Sequence, residues 1–120
     1  MLTVRQFRYA SDNLAYLIHG DKKAIAVDGG AVGEILSYLG THGLLLTRVT
    51  NTHEHPDHTP GNRQLLEKTG AALLRPMDAA EKKEIPLENE IIEVLHTPGH
   101  TFDSVTFHTN GRILTGDTLF

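Results

Sequence analysis

Four potential metal ligands fall within six residues of the stretch Thr52-His53-Glu54-His55-Pro56-Asp57-His58, in the pattern HxHxDH. In an extended segment alternate side chains point the same way, so His53, His55 and Asp57 can share one face while Pro56 stiffens the run. His58 follows Asp57 directly, and a turn there lets it address a neighbouring point. One short loop can therefore feed two adjacent metal ions, imidazoles mainly on one and a carboxylate plus an imidazole on the other. Neutral imidazole and carboxylate suit zinc, iron, manganese or nickel, and a chain with 0 Cys offers no soft sulfur site. The competing reading is a polar surface loop in a chain with 8 His. Chance placement would give this pattern in roughly one such chain in several hundred, which favours the metal reading. The chemistry open to such a site is metal-assisted hydrolysis. A bound ion lowers the pKa of its water toward about 7 and polarises a carbonyl, and a second ion roughly 3.5–4 Å away clamps the developing charge.

The elements that must present this cluster can be read from periodicity. Leu2 to Tyr9, Leu14 to Ile18 and Ala24 to Val27 are strand candidates, the last two separated by the turn His19-Gly20-Asp21-Lys22, and together they suggest an antiparallel meander. Asp28-Gly29-Gly30 ends the third run as a tight turn, because it lacks the spacing of a phosphate-cradling loop. Val32, Ile35, Leu36 and Leu39 then recur at helical spacing between Ala31 and His42, closed by Gly43. Leu44 to Thr52 reads as a buried strand that ends at the ligand cluster, a usual place for active-site groups. A helix follows from Pro60-Gly61-Asn62 to Thr69 with Gly70 as its C-cap, and Ala71 to Leu74 reads as a strand.

Residues 76 to 90 carry a mixed charge run, Asp78, Glu81, Lys82, Lys83 and Glu84, and read as a solvated surface segment without chemistry. Ile91 to His96 is a strand candidate leading into Thr97-Pro98-Gly99-His100-Thr101. Val105 and Phe107 alternate with polar residues, Asn110-Gly111 marks a hairpin, and Ile113-Leu114 run into Gly116-Asp117-Thr118-Leu119-Phe120. Alone, His100 and Asp117 would read as a surface histidine and a turn former. Beside an upstream cluster that still lacks ligands, a third imidazole and a bridging carboxylate at strand ends would largely complete a two-metal site. His19, His42 and His108 read as exposed, and His96 lies four residues before His100.

One hundred and twenty residues, 39% hydrophobic and 22% charged, make one globular domain spanning 1–120. A formal charge of −4 with scattered Lys and Arg gives no footprint for nucleic acid. No apolar run approaches a membrane span and the N-terminus lacks a signal-peptide pattern, so the expected location is cytoplasmic, without a membrane partner.

The succession THEHPDH, TPGHT and GDTLF, with Asp28 at an earlier strand end, resembles the metallo-beta-lactamase fold superfamily, and within it the glyoxalase II group of hydroxyacylglutathione hydrolases. The resemblance implies an αββα sandwich of α/β class, two sheets face to face with helices outside. It implies two divalent ions, zinc above all with iron or manganese as alternatives. The positions matching the group's ligands are His53, His55 and His100 for the first ion and Asp57 and His58 for the second, with Asp117 bridging. Asp57 and His58 are also the catalytic candidates, and Asp28 matches an aspartate beneath the site. The implied substrate is a small-molecule thioester of hydroxyacyl-glutathione type, or a related ester.

Three function classes follow: that hydrolase, a persulfide dioxygenase-like oxidoreductase, and an inactive metal-binding fragment. In the second, a single iron would be held by the equivalents of His53, His100 and Asp117, two imidazoles and a carboxylate. A secreted beta-lactamase fits less well, because that group lacks the aspartate matched by Asp117. The resemblance also places one further metal-binding histidine and the glutathione-binding segment downstream of the GDTLF aspartate, and a glycine where this chain has Phe102-Asp103-Ser104. The chain is therefore expected to be the N-terminal portion of such a domain, with one apolar sheet face uncovered and available for a homodimer.

Overall fold

The computed structural model describes residues 2–9, 13–52, 61–96, 105–109 and 112–114. Its first sheet has the order β1-β2-β3-β4-β5, made of Thr3–Tyr9, Asn13–His19, Lys23–Val27, Leu45–Thr50 and Ala72–Leu74. The expected meander is there, with β1 antiparallel to β2 and β2 to β3. The next two pairings, β3 with β4 and β4 with β5, are parallel. Parallel neighbours need crossovers, and these are helix α1, Val32–His42, and helix α2, Asn62–Thr69. Both helices stop where the sequence lets the backbone turn left-handed, at Gly43 with φ 62 and Gly70 with φ 72.

The second sheet is an antiparallel ladder, β6-β7-β8-β9, made of Glu84–Leu87, Glu90–His96, Val105–Thr109 and Arg112–Leu114. Thr109 pairs with Arg112, leaving the two residues Asn110-Gly111 between β8 and β9, as their type suggests.

Two apolar cores follow from strand alternation in the first sheet. On one face Ala15, Leu17, Ala24, Ala26 and Val49 meet Ile35 and Leu39 of α1 and Leu65 of α2. On the other, Tyr16, Ile18, Ile25 and Val27 meet Ile85, Ile92, Val94, Val105 and Phe107 of the second sheet. The described layers are thus helices, sheet, sheet. The far face of the second sheet exposes Ile91 and Leu95, each at 52%. No described helix is long and apolar enough to cross a membrane.

Two expectations need correction. The segment 76 to 90 is not merely a solvated connection. It forms helix α3, Pro76–Lys82, and then strand β6, and it buries Pro76, Ala79, Ile85 and Leu87. Its charges occupy the outward positions of two short amphipathic elements, and Ile85 and Leu87 alternate with outward Glu84 and Pro86. His19 is not an exposed turn residue either. It closes β2 opposite Thr3 and is only 8% exposed. Its Nδ1 donates to the Gly20 carbonyl oxygen at 2.8 Å, which leaves Nε2 to accept from the Tyr38 hydroxyl of α1 at 2.9 Å. His42 is exposed as expected, stacked on Tyr38 with ring centroids 3.9 Å apart. His108 is half-buried, its Nδ1 3.0 Å from Glu93 Oε1 on the paired strand.

The sheets are stapled at the end away from the ligand segments. Glu88, in the β6–β7 turn at φ 56, accepts from three successive backbone amides of the β2–β3 turn: Asp21 at 3.2 Å, Lys22 at 2.9 Å and Lys23 at 2.9 Å. The amides of Lys22 and Lys23 hold the Glu88 carboxyl below its ordinary pKa of 4.5. A depressed carboxyl contributes stability that is present above its unfolded pKa and is lost as pH falls through the folded value. Glu88→Gln is therefore expected to lower the urea midpoint at pH 7 and to match the unaltered chain once the pH is below the carboxylate range. At Thr50 the balance is reversed, because its Oγ1 is buried without a hydrogen-bond partner among the described residues. Thr50→Val is expected to stabilise the fold by about 1 kcal/mol, read from urea unfolding.

Candidate metal centre

The construction of this end of the molecule starts at the turn after β3. Asp28 takes a left-handed conformation, φ 55, which aspartate tolerates better than most residues. Its amide donates to the Thr50 carbonyl oxygen at 3.0 Å, extending the parallel pairing, and the Gly30 amide closes the turn on the Asp28 carbonyl oxygen at 2.8 Å. The Asp28 side chain is fully buried. A carboxylate there is tolerable only if donors surround it. Its Oδ1 accepts from the Thr52 amide at 3.0 Å and from Asn51 Nδ2 at 3.3 Å, and its Oδ2 accepts from Thr52 Oγ1 at 2.9 Å. One buried aspartate thus fixes the last two residues before His53.

Thr52 also reaches the other sheet, its carbonyl oxygen accepting from the Val105 amide at 2.6 Å. Val105 begins β8 and pairs with His96 at the end of β7, so the two strand ends that bound residues 97–104 lie together, with Val105 bonded to Thr52. Strand β9 ends at Leu114, opposite Phe107, two positions from Val105. The strand ends bounding all three motif-bearing segments therefore gather at one end of the two sheets.

The far end of the first segment returns to the same turn. Gly61 packs directly on Gly29, where a Cβ would collide with the Gly29 carbonyl oxygen and stand 2.8 Å from Val32 Cγ2. Asn62, first residue of α2, donates from Nδ2 to Asn51 Oδ1 at 2.7 Å, and Asn51 Nδ2 lies 3.4 Å from Asn62 Oδ1. These anchors were not foreseen from the sequence. Short polar residues beside a loop look like turn formers, and only their position on either side of HxHxDH hints at more.

Of the predicted site residues, Asp28 is placed as described. His53, His55, Asp57, His58, His100 and Asp117 lie outside the described residues, as does Phe102-Asp103-Ser104. Among the described residues no group of three or more His, Cys, Asp or Glu could hold a metal. The donors carried by the three segments, four imidazoles and two carboxylates with no thiol, fit a borderline divalent ion of the zinc, iron or manganese kind.

Residues 8–90 match the family model described as the metallo-beta-lactamase superfamily. The chain belongs to that superfamily. Its curated relatives include hydroxyacylglutathione hydrolases. That of Thiobacillus denitrificans is 35% identical over 131 residues, an alignment covering 100% of this chain and 51% of the relative. That of Anaeromyxobacter dehalogenans is 37% identical over 123 residues, covering 94% and 48%. The chain thus spans about half the length of these relatives. Among solved structures, ETHE1 from Myxococcus xanthus superposes with a TM-score of 0.79 at 28% identity, over 94% of this chain and 56% of that one. A chain solved in a di-iron-bound form superposes with a TM-score of 0.73 over 98% and 73%, and at 23% identity it speaks for the fold.

The geometry around Asp28 makes a graded prediction. Thr52→Val removes the hydroxyl bond to a charged acceptor and keeps the shape, at an expected cost of about 2 kcal/mol. Asp28→Ala leaves buried donors of residues 51 and 52 stranded and should cost more, as measured by urea unfolding of the metal-free protein.

Proposed function

We propose that this chain carries the ligand-bearing part of a metal-dependent hydrolase that cleaves a thioester of hydroxyacylglutathione type. The observation that supports this most is the Thr52 junction. It ties the strand end before THEHPDH to Asp28 and to the start of β8, immediately after the TPGHT segment. On this reading His53, His55 and His100 hold one divalent ion, Asp57 and His58 hold a second, and Asp117 spans the two. Zinc is the first choice, with iron or manganese compatible with the same donors. When bound, such ions would supply a water of lowered pKa and polarise the scissile carbonyl.

The chain's own contribution is placement. Both carboxylate oxygens of Asp28 accept described bonds from Asn51 and Thr52, so it anchors the approach to the segment. Asp57 and His58 are the catalytic candidates of this reading and would hold the second ion. No Ser, Cys or Lys nucleophile is required. A small-molecule thioester substrate and a cytoplasmic setting belong to the same proposal.

A second reading is favoured by the likeness to ETHE1. It is a persulfide dioxygenase-like oxidoreductase in which His53, His100 and Asp117 hold a single iron. Elemental analysis of protein purified without added metal should find close to two ions per chain for the hydrolase. Thioester absorbance should fall without oxygen uptake. His53→Ala and Asp117→Ala are each expected to lose bound metal and turnover together, and an active metal-free variant would overturn the assignment. One iron per chain with oxygen consumption on a glutathione persulfide would instead establish the second reading.

A further inference from the structure

The ligand-bearing segment 53–60 is bounded by residues tied to each other as well as to the fold. Asn51 ends the approach from β4 and is 1% exposed. Its side chain meets Asp28 Oδ1 on one side and Asn62 on the other. Asn62 is the first residue of α2, after the N-cap Gly61, which has no side chain to offer. The Asn62 amide is turned across the mouth of the segment, to Asn51 Oδ1 at 2.7 Å. The neighbouring Gly61 sits against Gly29 with no room for a side chain. Both ends of the segment are therefore seated on the Asp28-Gly29-Gly30 turn, and among the described contacts the pair Asn51–Asn62 joins them side chain to side chain.

We infer that Asn62 is a positioning residue for metal binding: it holds the two ends of segment 53–60 at the separation its four donors need to meet their ions. This rests on the metal reading above, because the ions it serves are the ones proposed there. The physical reason is entropic. Closing the ends of a loop in advance lowers the conformational freedom that binding must remove. Since the segment carries donors for both ions, loosening the clamp weakens both. Groups that orient ligands without touching the metal commonly change affinity by about 10–100-fold when removed.

The test compares Asn62→Ala with Arg63→Ala in the full chain. Arg63 is the next residue of the same helical turn, and its only described side-chain bond is a surface pair with Glu67 at 3.0 Å. Apo-protein is titrated with Zn2+ against a chromophoric chelator, and backbone amide exchange at Thr52 and Gly61 is followed without metal. Asn62→Ala is expected to bind Zn2+ at least tenfold more weakly at each site than the Arg63→Ala control and to exchange faster at Thr52 and Gly61. Unchanged affinity overturns the inference. So does equal weakening in both variants, which would trace the effect to the helix rather than to the amide pair. If the unaltered chain takes up no Zn2+, the metal reading fails, and the exchange data alone decide whether Asn62 clamps the segment. Equal exchange at Thr52 and Gly61 in the two variants would then refute the clamp.

Discussion

A carboxylate buried away from water must be given donors, and in this chain the donors given to Asp28 are the residues that introduce the metal-binding motif. That exchange organises the whole site end. Asp28 is fully buried at the end of β3, and nothing nearer in sequence than Asn51 and Thr52 supplies the described side-chain bonds to it. Satisfying it draws the end of β4 alongside. Thr52, once held, presents its carbonyl oxygen to Val105 and so registers the second sheet against the first. Removing the aspartate would therefore do more than unpair a charge, because the same contacts align two sheets and the entrances of two motif-bearing segments.

Much of this was legible beforehand. The meander, both crossover helices and their glycine stops follow from period and punctuation, since Val32, Ile35, Leu36 and Leu39 recur as one helix face must and Gly43 and Gly70 take the left-handed turns they permit. The three motifs are short and rich in imidazole and carboxylate, so the metal reading proposed for them rests on residue types, and their ligand residues lie outside the described ones. Other features depend on partners distant in sequence. Nothing local marks His19 as buried, because its hydroxyl partner Tyr38 arrives on a later helix. The run 76 to 90 hid a helix and a strand because each has two short apolar contacts and charges on the remaining positions. The amide pair Asn51–Asn62 is equally silent, since two asparagines on either side of a loop have no periodic signal.

Superfamily membership and the site's construction support each other from independent directions. The family match spans residues 8–90, which takes in Asp28, Thr52 and the first ligand segment, while His100 and Asp117 lie beyond it. Those two rest on motif order and on the convergence of β7, β8 and β9 toward Val105. The division follows the architecture: the first sheet with its helices bounds one of the proposed ligand segments and the second sheet bounds the other two.

The bond between Thr52 and Val105 has a bearing on the order in which the molecule assembles. The pairings of β1, β2 and β3 are local and their closure costs little chain entropy, whereas contacts between distant residues form only after long loops have closed. Asp28 can collect its donors from residues 51 and 52 as soon as β4 docks on β3. The Thr52 carbonyl must wait for a strand made much later in the chain. A folding intermediate holding only the first sheet would thus own a finished aspartate turn and only part of the proposed ligand set. Donors from both halves can meet only when the sheets close.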